Sequence, residues 1–299
     1  MHLGNIFSFM ISYLYVHQRG GHMVLRIDDL DPDRSKKEYI DLAFRDLEWF
    51  GLTWEGEVIY QSKREEAYAE AFEVLAKNDL VYPCFCTRAD LHSANAPHAG
   101  EEFVYQGTCR ELSRDEICEK ALHANPAFRI KVPAEVYAFE DIFQGVYQQD
   151  LRHSCGDFVV KRKEAAFAYQ LAVVVDDYYQ GVTSVIRGYD LLSSTPRQLY
   201  LYDLFGYSCP SFGHVPLLLD ETGTRLAKRN KDISLATLQE KGITAEEILG
   251  FLAFTSGLIP MYEPVGIEDL VASADLSALK NRTQLYIQTM QQENIMAKQ

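Results

Sequence analysis

The stretch "HLGNIFSFMISYLYVHQRGGHMVLRIDD", residues 2–29, decides the fold. From Ile6 to Gln18 apolar side chains fall on most faces of a helix, and Gly20 and Gly21 interrupt the run as at the end of a core helix. "HMVLRI" (22–27) then reads as a buried strand. Helix, turn and strand in that order form half of a βαβ unit, whose first strand would have to precede Met1. The reading is an α/β domain on a mostly parallel sheet.

Outward from this unit, Asp31 or Asp33 is placed to cap a helix with apolar positions Tyr39, Leu42, Ala43, Leu47 and Phe50, ending at Gly51. "SKREEAYAEAFEVLAKNDL" (62–80) predicts another helix. Between Val81 and about Val136 cysteines, short turns and poor periodicity mark an inserted subdomain. Regular signals return at "FVVKRKEAAFAYQLAVVVDDYYQGVTSVIRG" (158–188), in which "LAVVVDD" (171–177) is apolar on both faces and is expected to be a central parallel strand. "TPRQLYLYDLFG" (195–206) predicts a helix with Pro196 at its first position, and "TAEEILGFLAFTSGL" (244–258) an amphipathic one. The last thirty or so residues are weakly patterned. The expected architecture is therefore a doubly wound α/β domain with an insertion and a short helical tail.

With 299 residues and 47% hydrophobic side chains the chain can build a large core and is not of the disordered class. A net charge of −14 argues against indiscriminate adhesion to nucleic acid or anionic membrane, while leaving room for a local basic face. Six cysteines without a secretory leader fit a reducing compartment, so a cytoplasmic protein is expected. The apolar run from Leu3 to Val16 has no basic segment before it and is too short to span a bilayer. No membrane association is expected.

The insertion contains "YPCFCTRADLHSANAPHAGEEFVYQGTCRE" (82–111), where Cys84 and Cys86 form one local pair and Tyr105 and Cys109 a second. Zinc takes four tetrahedral ligands, and two local pairs supply them at little ordering cost. A phenolate is an unusual fourth ligand, so His92 and His98 compete with Tyr105 for that place. Cys118, Cys155 and Cys209 have no partner in spacing and read as packing residues. Three further stretches carry chemistry only as a set. "HLGN" (2–5) opens a helix with an imidazole and a glycine, suited to phosphate oxygens at a positive helix end. "RIDDLDPDR" (26–34) ends a strand in carboxylates, and "LLLDETGTRLAKRN" (217–230) carries Arg225, Lys228 and Arg229 in a loop where cations could meet a pyrophosphate leaving group. Singly, each is as readily a cap, an acidic turn or a solvated basic loop.

In this order "HLGN", "RIDDLD", the C-x-C insertion, "FAYQLAVVVDD", "GVTSVIRGYDL" and "RLAKRN" closely resemble the catalytic core of the class I glutamyl-tRNA synthetase family, as far as about residue 255. The resemblance implies a Rossmann-like catalytic domain in two parts, residues 1–80 and 137–232, with an inserted zinc-binding, acceptor-type subdomain at 81–136 and a helical tail at 233–299. Only about seventy residues follow Lys228, too few for the family's large anticodon-binding region. The chain is in this respect most similar to the shortened branch of the family. Those enzymes activate glutamate with ATP, accompanied by Mg2+, to glutamyl-adenylate, and attach it to the queuosine base at the first anticodon position of tRNA(Asp). A monomeric ligase with one structural Zn2+ is implied.

For individual residues the resemblance implies that His2, Gly4 and Asn5 of the "HIGH"-type motif and Lys228 of the "KMSKS"-type loop bind ATP, with His2 and Lys228 in catalytic roles. Asn5 stands where the second histidine would be, Arg225 at the first lysine and Ala227 in place of the serine. Asp28, aligned with a glutamate of the family's "RIED" strand, Tyr169 and Arg187 would hold the amino acid, Arg187 by a bidentate fork on a carboxylate. Cys84, Cys86, Tyr105 and Cys109 match the family's zinc pattern, tyrosine included. Lys161 to Lys163 ("KRK") and residues 225–231 offer local positive charge for tRNA phosphates. The family also carries an "RFAPSPTG"-type strand before the first histidine, which this sequence lacks. A sheet one strand short and weak activity of the chain as written are the corresponding expectations. The competing reading is a non-catalytic or impaired RNA-binding relative, favoured by Asp28 and opposed by His2, Tyr169, Arg187 and Lys228.

Overall fold

The computed structural model describes residues 1–32, 35–87, 90, 104–164, 166–224 and 235–287. Helix α1 (Leu3–His17) buries Ile6, Phe7, Met10, Ile11 and Leu14, which is why its sequence is apolar on most faces. The turn after it closes with the Gly21 amide bonded to the Val16 carbonyl and Gly20 at φ 69°, a left-handed terminator. Of "HMVLRI" only β1 (Arg26–Ile27) pairs as strand, in parallel with β2 (Ile59–Tyr60), and the connection contains α2 (Lys37–Trp49). That helix starts later than either proposed cap: its N-cap is Lys36, with no side-chain cap bond, Asp31 lies upstream, and Asp33 lies outside the described residues.

Helix α3 (Glu65–Lys77) leads into an antiparallel sheet of β3 (Val81–Cys84), β4 (Ala127–Ile130) and β7 (Val159–Lys161), with β4 central. Helix α4 (Arg114–Ala121) is opened by a Ser113–Glu116 capping box. Strands β5 (Val136–Asp141) and β6 (Gly145–Asp150) form a hairpin, followed by the single turn α5 (Leu151–Ser154). Then come α6 (Tyr169–Tyr179), β8 (Ser184–Gly188), α7 (Thr195–Phe205), β9 (Ser211–Val215) and β10 (Leu217–Leu219). Strands β8 and β9 are parallel, as α7 between them requires, and Pro196 stands in the first turn of that helix. The C-terminal part holds α8 (Leu235–Glu240), α9 (Ala245–Ser256), α10 (Ile267–Ser273) and β11 (Gln284–Tyr286), the last in parallel register with β10.

The expectation of a strand over "LAVVVDD" is corrected here, because Leu171 to Asp177 lie inside α6. All seven residues are buried, since α6 packs against α3, β7 and α7 together. A helix enclosed on every side shows no 3.6-residue periodicity, so its pattern coincides with that of a central parallel strand. Two apolar cores result. One joins α1 and α2 to α9, α10 and β11 through Phe7, Leu14, Phe50, Leu249 and Leu285, and the other joins α3, the antiparallel sheet, α6 and α7 through Tyr68, Leu75, Ile130, Val174 and Tyr202. Among the described residues no helix is long and apolar enough to cross a membrane.

Candidate active site and metal centre

The seam between the two cores collects the charged groups. Arg26, the first residue of β1, donates from Nε to Asp28 Oδ1 (2.7 Å) and from Nη1 to Asp177 Oδ1 on α6 (2.5 Å). Neighbouring Asp176, fully buried, accepts from Gln61 Nε2 (3.0 Å), Arg64 Nε (2.6 Å) and Tyr68 Oη (2.6 Å). Burial raises Asp177, against Arg26, which favours its anion, while Tyr202 donates to its other oxygen at 3.2 Å. Successive residues of one buried helix thus tie β1 and α3 to α6. Asp28 keeps a side chain 42% exposed, so it is the carboxylate of this group that faces outward.

Tyr169, the first residue of α6, meets the field of Arg187, Asp28, Arg26 and Asp177, and burial is the main reason its phenol is pushed up. Arg187 on β8 is lowered by burial, with Tyr169 and Asp177 acting in the opposite direction. The three residues proposed for glutamate, Asp28, Tyr169 and Arg187, are therefore brought into one electrostatic neighbourhood. Arg187 is held from behind: Nε donates to His214 Nε2 (3.0 Å), and Nη2 to Thr195 Oγ1 (2.8 Å) and the Leu191 carbonyl (3.4 Å). His214 on β9 is fully buried and its Nδ1 lies 2.5 Å from Asp141 Oδ2. Arg26, Asp177, His214 and Asp141 were not singled out in the sequence. Arg26 and Asp177 stand inside the quoted motifs, whereas "FGHVP" (212–216) offers only a lone histidine among apolar residues.

Helix α1 packs against both β8 and β10, so the helix that begins after His2 adjoins the strand bearing Arg187 and the strand leading toward residue 225. His2 is the N-cap of α1: its Nδ1 accepts the Asn5 amide, and Asn5 Oδ1 accepts the His2 amide, each at 3.3 Å. A Cβ on Gly4 would stand 3.1 Å from the His2 ring, so glycine here makes room for the imidazole. Asn5 in place of a second histidine thus closes a reciprocal cap. Lys228, with Arg225, Ala227 and Arg229, lies outside the described residues, as do His92 and His98.

The second constellation is the cluster of Cys84, Cys86 and Cys109, whose sulfurs all lie within 4.8 Å of one another and which could hold a metal ion. Cys86 and Cys109 sulfurs are 3.6 Å apart, and Tyr105 Oη stands 3.5 Å from Cys84 Sγ and 3.9 Å from Cys86 Sγ. With Zn–S near 2.3 Å and Zn–O near 2.0 Å, tetrahedral edges of about 3.8 Å (S to S) and about 3.5 Å (S to O) are expected, so the donor set fits. Tyr105 is brought in by an isolated bridge to Gly156, where φ is 63° and a Cβ would lie 2.2 Å from the Tyr105 carbonyl. Only glycine admits that approach. Burial works against ionising Cys84, but hydrogen bonds from Tyr105 and Arg129, with the charge of Arg129, outweigh it and hold the thiol below its ordinary range. Arg129 donates from Nε to Cys84 Sγ (3.3 Å) and lies 3.7 Å over the Tyr105 ring. Burial, then the charges of Cys84 and Cys109, push Cys86 up to about 12. A dication would reverse that order by drawing the protons off the cluster. Of the basic stretch, Lys161 lies over the rings of Phe72 and Phe167, and Lys163 donates to the Phe85 carbonyl at 3.1 Å.

Comparison with known proteins follows the same lines. Residues 1–294 match the family model described as tRNA synthetases class I (E and Q), catalytic domain. A protein of Nitratidesulfovibrio vulgaris named glutamyl-Q tRNA(Asp) synthetase is 45% identical over 293 residues, covering 94% of this chain and 90% of that one. One of the same name from Symbiobacterium thermophilum is 42% identical over 291 residues, covering 93% and 90%. Among solved structures, a glutamate tRNA ligase from Elizabethkingia meningosepticum in complex with its amino acid superposes with a TM-score of 0.82 at 23% identity, covering 99% of this chain and 66% of that one, a likeness of fold. By the reach of the family model and by these identities, the chain belongs to the class I tRNA synthetases for glutamate and glutamine, whose catalytic domain it carries.

Proposed function

We propose that the chain activates glutamate with ATP to glutamyl-adenylate and transfers the glutamyl group to the queuosine base of tRNA(Asp). The observation that carries the reading is the guanidinium of Arg187, held along one edge by His214 and Thr195 beside Tyr169 and the outward-facing Asp28. A fork of this kind matches a carboxylate, and a neighbouring carboxylate matches an α-ammonium. The relatives at 45% and 42% identity, named glutamyl-Q tRNA(Asp) synthetases, extend the reading to the acceptor. ATP would lie at the start of α1, whose positive end suits phosphate, and Lys228 would meet charge developing on the departing pyrophosphate.

Cys84, Cys86, Cys109 and Tyr105 would hold one Zn2+, which when bound cross-links the loop carrying Cys109 to strand β3. In the activation step the glutamate carboxylate attacks the α-phosphorus of ATP, forming a mixed anhydride as the bond to pyrophosphate breaks. The queuosine hydroxyl then displaces AMP from that anhydride. The test is glutamate-dependent exchange of pyrophosphate into ATP without tRNA, followed by incubation with labelled glutamate and tRNA(Asp) containing or lacking queuosine. Exchange without tRNA and labelling only of the queuosine-containing tRNA are expected. Absence of exchange under both conditions would sink the reading in favour of a non-catalytic relative.

A further inference from the structure

Asp141 and His214 belong to none of the motifs that led to this site, yet both are buried, and Asp141 reaches Arg187 through His214. Asp141 closes β5, and its Oδ1 accepts three backbone amides, from Phe143 (2.9 Å), Gln144 (2.9 Å) and His214 (3.1 Å). Its other oxygen meets His214 Nδ1. On the far side of the ring, Nε2 faces the Nε–H of Arg187 at 3.0 Å, with Thr195 Oγ1 at 3.3 Å. Arginine Nε is only ever a donor, so His214 Nε2 must be an acceptor and the ring must carry its proton on Nδ1. Ring orientation and tautomer are both fixed by Asp141. Gly213 allows this closeness, because a Cβ there would lie 2.7 Å from Ile186 Cδ1 and 3.1 Å from Ile142 and Phe143.

The consequence for Arg187 is geometric. His214, Thr195 and the Leu191 carbonyl take the hydrogens of Nε and Nη2, which leaves those of Nη1 to meet a carboxylate. We propose that Asp141 and His214 are positioning residues for Arg187: a buried carboxylate selects the histidine tautomer, and the histidine fixes the guanidinium so that its remaining terminal nitrogen, Nη1, meets the amino-acid substrate. The inference rests on the glutamate-activating function proposed above.

Asp141→Asn is the sharpest test. The variant's amide oxygen can keep the three backbone bonds, while its NH2 now donates to His214 Nδ1 and forces the proton onto Nε2, donor against donor with Arg187. The expected result is a KM for glutamate raised on the order of tenfold to 100-fold with the KM for ATP unchanged within about twofold, both from pyrophosphate exchange. His214→Met should behave alike, and His214→Gln, whose amide oxygen reaches the Nε2 position, should recover most of the loss. 15N spectra of the full chain should show His214 Nε2 unprotonated in the unaltered protein and protonated in Asp141→Asn, a readout that a merely structural role would not move. An unchanged glutamate KM in a folded Asp141→Asn, or a protonated Nε2 in the unaltered chain, overturns the proposal. Loss of glutamate-dependent exchange in the unaltered chain would instead overturn the functional reading, and this inference with it.

Discussion

At Arg187 the requirement for a guanidinium is geometric as well as electrical. A lysine would retain the charge, but one ammonium cannot hold His214, Thr195 and a substrate carboxylate at once. Arg187→Lys is expected to raise the KM for glutamate by roughly 10- to 100-fold, equivalent to about 1.5–3 kcal/mol for a hydrogen bond to a charged group, with the KM for ATP nearly unchanged. An equal rise in both KM values would place Arg187 outside the amino-acid site. His214 carries a pH consequence. Burial is the main cause of its lowered pKa; the neighbouring Arg187 adds to it and Asp141 opposes it. The folded state therefore binds the proton less readily than the unfolded state, so stability is full above about pH 6.5 and declines as pH falls below that value. The Tm of the unaltered chain should drop between pH 7.5 and 5.5 by more than that of His214→Gln. Parallel curves would mean that His214 is not the titrating group.

At the scale of elements, the sequence was most legible where a helix has one wet face or a marked end. Helices α7 and α9 lie where the pattern puts them, with Pro196 one residue further into α7 than expected and a Thr244–Glu247 capping box opening α9. Helix α6 is illegible because burial along its middle erases its period, and its two aspartates, which read as the end of a strand, sit in its last turn paired with arginines and tyrosines from other elements. Of the candidate site, the local groups were legible: the C-x-C pair, the arginine of "VIRG" and the aspartate of "RIDD". The His214–Asp141 pair was not, since it joins residues 73 positions apart and has no local spacing to betray it. Gly156 is a further residue whose reason is tertiary. Gly156→Ala would combine a left-handed backbone with a Cβ lying 2.2 Å from the Tyr105 carbonyl, displacing Tyr105 from the cysteines. Gly181 has a similar φ of 66° but open space around its Cβ position. Gly181→Ala should cost about 1 kcal/mol, whereas Gly156→Ala should cost about 3 kcal/mol or more and lower zinc retained per chain after dialysis. Equal costs with full zinc content would mean that the Tyr105 approach does not shape the cluster.

Across the whole molecule, the C-terminal segment is coupled to the proposed amino-acid site through packing and backbone hydrogen bonds. Leu285 on β11 and Ile287 after it are 2% and 0% exposed in the core that contains α1. The Asn281 amide donates to the Phe143 carbonyl at 2.8 Å, and Gln144 Nε2 divides its two hydrogens between the carbonyls of Arg282 (2.9 Å) and His214 (2.7 Å). The turn carrying Phe143 and Gln144 is the same one whose amides hold Asp141. Loosening β11 therefore acts twice, once on the core and once on the backbone that seats the His214–Asp141 pair. Leu285→Ala should destabilise the chain by about 2–4 kcal/mol, from lost burial and the cavity left behind. At temperatures where that variant remains folded, its KM for glutamate should also rise while its KM for ATP does not. Leu122→Ala, at the 82% exposed residue that caps the C-terminal end of α4, removes the same side-chain volume and should change neither quantity. If Leu285→Ala lowers Tm and leaves both KM values unaltered, the C-terminal strand supports only the core and the coupling through Gln144 is absent.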